Sequence, residues 1–357
     1  IDAKGELLKF NAGKLLGLSE LGTTSGTFVV KTNGSKNIAF ETDLSSVQFN
    51  GYSYNNVKAI GDFKNQFLDA KLDIQDTNLD GRFGAKINFK NPLPHIVVDA
   101  QVLTSNLKEL KIMSLPLEFS GRTHAELDGD NIDNIKGKIR FNDLVLIRQD
   151  QAYVMDSLIV VSDKKGTYRT LILEGSDVDV NMQGNFDYGL LRNTFNQYFS
   201  KYYPLYFDKV VPLKKDQDIA FDITFKNTNS FLKLLDIGIT GFNNSKITGG
   251  INTKNKLFNI TAEIPKFTYN KLAVYDYFIK AEGNIDSLIV KTKASSVVFN
   301  DSLSFPNNEI TIRSSRNLSR VDVHTFSEQS LYGANLSAYV SNLSDGIRIN
   351  FNPSTLV

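Results

Sequence analysis

Strict alternation of apolar and polar residues runs through most of this chain, and few folds accept such a pattern. It is plain in Ile87-Asn88-Phe89, Val178-Asp179-Val180-Asn181-Met182, Ile219-Ala220-Phe221-Asp222-Ile223-Thr224-Phe225, Ile310-Thr311-Ile312-Arg313, Val321-Asp322-Val323-His324 and Ile347-Arg348-Ile349-Asn350-Phe351. A period of two places apolar side chains on one face of a strand and polar ones on the other. Thr32-Asn33-Gly34, Asp80-Gly81, Leu127-Asp128-Gly129 and Asp345-Gly346 interrupt these runs and predict hairpin turns. The expected fold is all-β with a few short helices, its antiparallel sheet wet on one side. Helical spacing of Leu predicts short turns at Leu103–Met113, Ser230–Leu235 and Ala12–Leu18. Leu190–Tyr203 reads as one amphipathic helix, stopped by Pro204.

The aromatic content asks where so much apolar surface goes. The chain has 25 Phe and 14 Tyr but no Trp, and Phe on this scale is buried or faces something greasy. Charge gives no partner: 40 basic against 39 acidic side chains leave a net +1, with no electrostatic reason to expect nucleic acid. Absence of Cys removes disulfides, thiolate metal sites and a Cys nucleophile, and fits an oxidising compartment. No apolar run approaches the roughly 18–20 residues of a membrane-spanning helix. With no signal peptide visible, the expectation is a piece cut from a longer parent.

Sites for chemistry are sparse. His95, His124 and His324 lie far apart without metal-ligand spacing. Asp76-Thr77-Asn78-Leu79-Asp80-Gly81 copies the opening of a calcium loop, but Ile87 stands where the bidentate Glu belongs. Asp128–Asn134 reads as a solvated acidic turn, and neither a Gly-x-Ser-x-Gly elbow nor a phosphate-cradling Gly loop occurs. The expectation is a protein that is not an enzyme and uses neither metal nor cofactor. The densest aromatic block is the 190–203 helix with Tyr202-Tyr203-Pro204-Leu205-Tyr206-Phe207. It is expected to cap a raw sheet edge; plugging, gating or bracing the apolar face, or contacting a partner, is the other reading.

These pieces recur in order. Leu15-Leu16 lead into Gly26–Gly34, Leu107 and Leu110 into Gly121–Gly129, and Leu232, Leu234 and Leu235 into Gly249–Thr253. Leu72, Ile74, Leu79, Asp80, Phe83, Ala85, Ile87 and Phe89 match Leu171, Leu173, Val178, Asp179, Met182, Gly184, Phe186 and Tyr188 at one constant offset, and Phe83-Gly84-Ala85-Lys86-Ile87 returns as Tyr332-Gly333-Ala334-Asn335-Leu336. A short helix followed by a β-meander, repeated about every hundred residues, is how arrays grow along one axis. Three modules are expected: 1–103, 104–229 with the inserted helix 190–203, and 230–357. They form one continuous β-groove rather than independent domains.

The chain resembles the AsmA-like/TamB family of large bacterial envelope proteins, most closely those of Bacteroidota type. The resemblance is carried by Leu115-Pro116-Leu117-Glu118-Phe119-Ser120-Gly121 through Gly129, by Gly137-Lys138-Ile139-Arg140-Phe141-Asn142-Asp143-Leu144, and by Phe49–Asn56 with Asp69–Ile74 after it. It implies an elongated, twisted, taco-like antiparallel β-groove with an apolar inner face. It also implies a periplasmic position in a parent anchored to the inner membrane and reaching an outer-membrane barrel of the Omp85 (TamA-like) type. The implied roles are carriage of phospholipid between membranes and support of outer-membrane protein assembly. The family's inner-membrane helix is not in this sequence.

Lining of such a groove is expected from the apolar members of the alternating runs: Phe28, Val30, Val47, Phe49, Ile74, Phe83, Ala85, Ile87, Phe89, Ile139, Phe141, Leu171, Leu173, Val178, Val180, Met182, Phe186, Phe221, Ile223, Phe225, Ile310, Ile312, Val321, Val323, Leu336, Ile347, Ile349 and Phe351. Sheltering an acyl chain there gains about 0.8 kcal/mol per methylene, and a charge on the same face obstructs it. The competing expectation is a closed β-sandwich, an adhesin or ligand-binding module of the envelope, with these residues sealed against a second sheet. Roughly 25 strands stacked at about 4.8 Å make a body on the order of 120 Å long. The groove therefore predicts a radius of gyration near ~35 Å, against ~21 Å for a compact globule.

Overall fold

The computed structural model describes residues 2–33, 37–207, 211–300, 303–326 and 334–356. Its Cα packing divides the chain into two units, Ile1–Ser162 and Asp163–Val357, which do not coincide with the module boundaries suggested by the repeats.

Unit 1 is a meander in which each strand pairs antiparallel with the next. Its strands are β1 (Asp2–Asn11), β2 (Leu21–Thr32), β3 (Asn37–Phe49), β4 (Tyr52–Lys64), β5 (Phe67–Asp76), β6 (Leu79–Asn88), β7 (His95–Ser105), β8 (Glu118–Asp128), β9 (Lys136–Arg148) and β10 (Gln151–Lys165). The short helix α1 (Ala12–Leu16) joins β1 to β2. The sheet is open: among the described residues β1 has no strand partner beyond β2.

Unit 2 repeats the pattern. Its strands are β11 (Tyr168–Gly175), β12 (Val178–Asn185), β13 (Asp218–Phe225), β14 (Ile239–Gly241), β15 (Ser245–Asn252), β16 (Leu257–Tyr269), β17 (Leu272–Asn284), β18 (Ser287–Phe299), β19 (Leu303–Ser315), β20 (Leu318–Thr325), β21 (Ala334–Asn342), β22 (Ile347–Phe351) and β23 (Thr355–Leu356). All its ladders are antiparallel; β14 and β15 lie end to end against β16, and β22 and β23 against β21. Helices α2 (Leu191–Phe199) and α3 (Asn229–Leu235) flank β13. The sheets are open, so the two-layer closure required by the sandwich alternative is not formed.

The repeat seen in sequence has a structural counterpart in register. In the β5–β6 hairpin Leu72 faces Phe83 and Ala70 faces Ala85; at the same offset in β11–β12, Leu171 faces Met182 and Arg169 faces Gly184. The Tyr332-Gly333 part of the later repeat lies outside the described residues, as does Gly34 of the first turn.

Three local expectations need correction. Of Leu103–Met113 only the middle makes a helical turn, through Leu110 N–H to Asn106 O and Lys111 N–H to Lys108 O: β7 runs through Ser105, and the segment closes by Leu107 N–H to Leu117 O and Ile112 N–H to Leu107 O, with Leu110 buried beneath. Asp80-Gly81 is not a turn but lies within β6, because the chain already reverses at Thr77-Asn78. There the Asp76 carboxylate accepts from Asn78 N–H (2.9 Å), Asn55 N–H (3.0 Å) and the Tyr52 hydroxyl (2.5 Å). The helix expected over 190–203 is shorter: a 3-10 turn at Tyr188–Leu190, then α2 to Phe199, then turns at Tyr202, Tyr203 and Tyr206.

Candidate functional site

Residues paired across adjacent strands project to the same face, so the register assigns the faces directly. In unit 1 one row reads Phe28, Thr42, Ala59, Leu72, Phe83, Ala100, Thr123, Phe141, Leu158 across β2 to β10. The next reads Val30, Phe40, Gly61, Ala70, Ala85, Val98, Ala125, Ile139, Val160. Neither row contains an ionisable side chain. The opposite face carries Lys58 with Asp43, Arg82 with Asp73, Lys86 with Asp69, and His124 Nδ1 2.7 Å from Asp99. One side is greasy, the other charged.

Apart from buried Ala125, the apolar rows are only half-buried. Phe rings fold over small neighbours instead of meeting another layer: a Cβ on Gly61 would lie 2.8 Å from the Phe40 ring, and one on Gly5 would lie 2.8 Å from that of Phe28. A trough of about 980 Å³ crosses β3 to β9 on the charged side of the sheet. Thr42, Ala59, Leu72, Phe83, Ala100 and Thr123 run along its floor, and its walls are the two opposite-face rows beside them, among them Glu41, Lys71 and His124 on one side and Asp43, Lys58, Asp73 and Arg82 on the other.

A bend that period-two reasoning misses extends this face. Lys9, Asn56, Asp143, Asp276 and Asn307 have positive φ (45° to 52°) in the middle of strands. At Asn56, Asp143, Asp276 and Asn307 one pair drops out of the ladder while the register on either side stays the same, a kink shared by both strands rather than a bulge with an extra residue in one. Beyond each bend the buried side shifts by one residue: Val57 gives way to Tyr54 and Tyr52, and Phe141 to Leu144 and Leu146. Tyr153, Met155, Phe267, Val274 and Val297 therefore join the apolar side although strict alternation does not select them. The available signal was an Asn or Asp in mid-strand where alternation slips by one.

Most of the residues expected to line a groove fall on the apolar face of their own unit. Ile74 and Ile87 extend the unit 1 rows; Val47 and Phe49 face Tyr54 and Tyr52 beyond the bend; Phe89, just after β6, packs its ring against Phe63 at 6.3 Å. In unit 2 one row reads Leu171, Met182, Phe221, Gly249, Ile260, Ala281, Val290, Ile312, Val321, Ala338, Phe351. Leu173, Val180, Ile223, Ile310, Val323 and Leu336 occupy the row beside it, with Val178 facing Phe225 next along β12 and β13. Ile347 and Ile349 stay half-exposed on β22. Phe186 differs: it is buried against Tyr188 and under the Arg169 guanidinium.

Unit 2 covers part of its apolar face. Tyr198 and Tyr202, both fully buried, pack with Ile251, Phe258, Ala281 and Leu288, while Phe195, Phe199 and Tyr203 pack against that cluster. The Tyr198 hydroxyl donates to Asn252 O at 2.9 Å and that of Tyr202 to Asn284 O at 2.5 Å. Burial, with the Asp216 charge adding, pushes the Tyr198 hydroxyl up to about 12; burial, then Asp286, raises Tyr202 as well. The helix thus lies on the greasy face near the β15–β16 and β17–β18 hairpins. Capping of a raw sheet edge is overturned.

At the calcium-like sequence, Asp76 is committed to its own hairpin. Burial opposes its ionisation, but hydrogen bonds from Tyr52, Asn78 and Asn55 outweigh that and hold the carboxyl below its usual range. No group of three or more metal-ligating side chains occurs among the described residues, and no described helix is long and apolar enough to cross a membrane. Searches against protein-family models, curated proteins and solved structures find no match to the chain.

Proposed function

We propose that this chain is a non-enzymatic segment of a cell-envelope protein that carries phospholipid acyl chains along its apolar sheet face. The observation that carries this reading is the unit 1 face: rows of apolar side chains without an ionisable group, half-buried on an open sheet. A face of that kind shelters hydrocarbon at about 0.8 kcal/mol per methylene, and its chemical uniformity leaves no deep well to stop sliding. The charged outer face keeps such a sheet in water. A periplasmic location, a parent anchored in the inner membrane, and a barrel partner of the Omp85 type belong to the same proposal. Support of outer-membrane protein assembly belongs to it too, because open sheet edges template strands by β-augmentation.

Native mass spectrometry of the purified chain tests this. Co-purified phospholipid is expected, and Phe83→Glu with Ala100→Glu should strip it while circular dichroism stays that of β-sheet. A lipid-free wild-type preparation overturns conduction; one that still binds unfolded barrel strands assigns the scaffold role instead.

A further inference from the structure

One rim of unit 1 displays large apolar side chains that the sheet does not use. Helix α1 ends at Gly17, which adopts the left-handed conformation that closes a helix. Gly13 sits so close to Leu21 O that any side chain there would collide with it. This tight reversal leaves Leu15 72% and Leu18 51% exposed. Further along the rim, the turns after β7 are pinned by buried Leu110 and Leu117, leaving Ile112 64% and Met113 40% exposed. The two protrusions are tied together through the β3–β4 hairpin. Asn50 N–H donates to Glu20 O, and the Lys111 ammonium contacts Gly51 O.

We infer that this rim docks on an anionic lipid surface. Three features select that occupant. The apolar groups project from turns on separate tips, a shape suited to entering a headgroup layer and poorly suited to burying one continuous protein interface. Lys14, Lys108 and Lys111 outnumber Glu20 and Glu109 on these turns, all five exposed, and lysines beside an apolar tip keep their charge at headgroup level while their stems lie along hydrocarbon. Phe49, at the same hairpin, faces Leu21 and Tyr52, so the protruding surface is continuous with the apolar sheet face. Docking here requires no conduction along that face, and the two proposals fail separately.

Flotation of the full chain with vesicles tests the assignment, using phosphatidylcholine alone and phosphatidylcholine mixed with phosphatidylglycerol. Binding is expected on the mixed vesicles, weakened about thirty-fold by Lys14→Ala with Lys108→Ala, two exposed changes that leave the fold intact. Leu15→Ser with Ile112→Ser should abolish it, with lipid co-purification unchanged. Absence of wild-type binding, or variants that bind as well as wild type, would overturn the proposal. Concentration-dependent self-association lost in the Leu15→Ser, Ile112→Ser variant would overturn it too, by assigning the rim to a second copy of the chain.

Discussion

The two units carry the same kind of apolar row and treat it differently. In unit 1 the row from Phe28 to Leu158 stays half-buried. In unit 2 the segment inserted between β12 and β13 lays Tyr198 and Tyr202 over Ile251, Phe258 and Leu288. The hairpins that begin this difference, β5–β6 and β11–β12, match in register. Alternation therefore specifies a face but not its cover; the cover comes from a separate helix with aromatic anchors.

The contrast predicts unequal responses to truncation. Tyr202→Ala should cost unit 2 about 3–5 kcal/mol, since it empties a packed site and orphans Asn284 O. Phe83→Ala should cost unit 1 only about 1 kcal/mol, because that ring is already partly solvated. Hydrogen exchange resolved by segment reads both, with β15–β18 deprotected in the first variant and β5–β7 scarcely changed in the second. Similar losses at the two positions would break the comparison.

Unit 1 has its own buried polar anchor. Asp76→Ala should cost about 1–3 kcal/mol by leaving the Tyr52 hydroxyl and the Asn55 and Asn78 amides without their acceptor. The Asp76 carboxyl titrates below its usual range. Its contribution is therefore present above the ordinary carboxylate range and lost as pH falls through the lowered value. Acid titration of unfolding should show that dependence in the wild type and not in the variant.

The alkaline side sharpens the difference in the other direction. Tyr198 titrates near 12, above the usual 10.0. Its stabilisation of unit 2 is complete below the usual value and disappears as pH rises through the raised one. Phenolate absorbance should report this late titration, and Tyr198→Phe should remove one tyrosine's share of it, leaving that of Tyr202, at a cost of about 1 kcal/mol. The smallest effect belongs to the outer face of unit 1. Lys58→Ala, which breaks an exposed pair with Asp43, should change stability by less than about 1 kcal/mol.

Much of this architecture was legible because burial on one side imposes a period of two. The strands around Val178–Met182, Ile219–Phe225 and Ile310–Arg313 lie where alternation predicts them, and α1 and α3 follow their Leu spacing. What escaped was set by contacts distant in sequence. Leu107 and Leu110 have helical spacing, yet a carbonyl at Leu117 captures Leu107 N–H and holds the segment in turns. Asp80-Gly81 resembles a hairpin turn, yet Asp76 fixes the reversal three residues earlier, at Thr77-Asn78. The place of α2 on the greasy face depends on Asn252 O and Asn284 O accepting from two tyrosines, partners that no local pattern announces.

Photo-crosslinking at two adjacent residues of β7 tests the central claim most directly. Ala100 belongs to the apolar row, and Gln101 projects to the opposite side. With benzoylphenylalanine at each in turn, and phospholipid supplied in vesicles, the acyl-chain adduct should form at Ala100 and be nearly absent at Gln101. Equal labelling at both positions, or labelling confined to Gln101, would contradict a lipid-bearing apolar face.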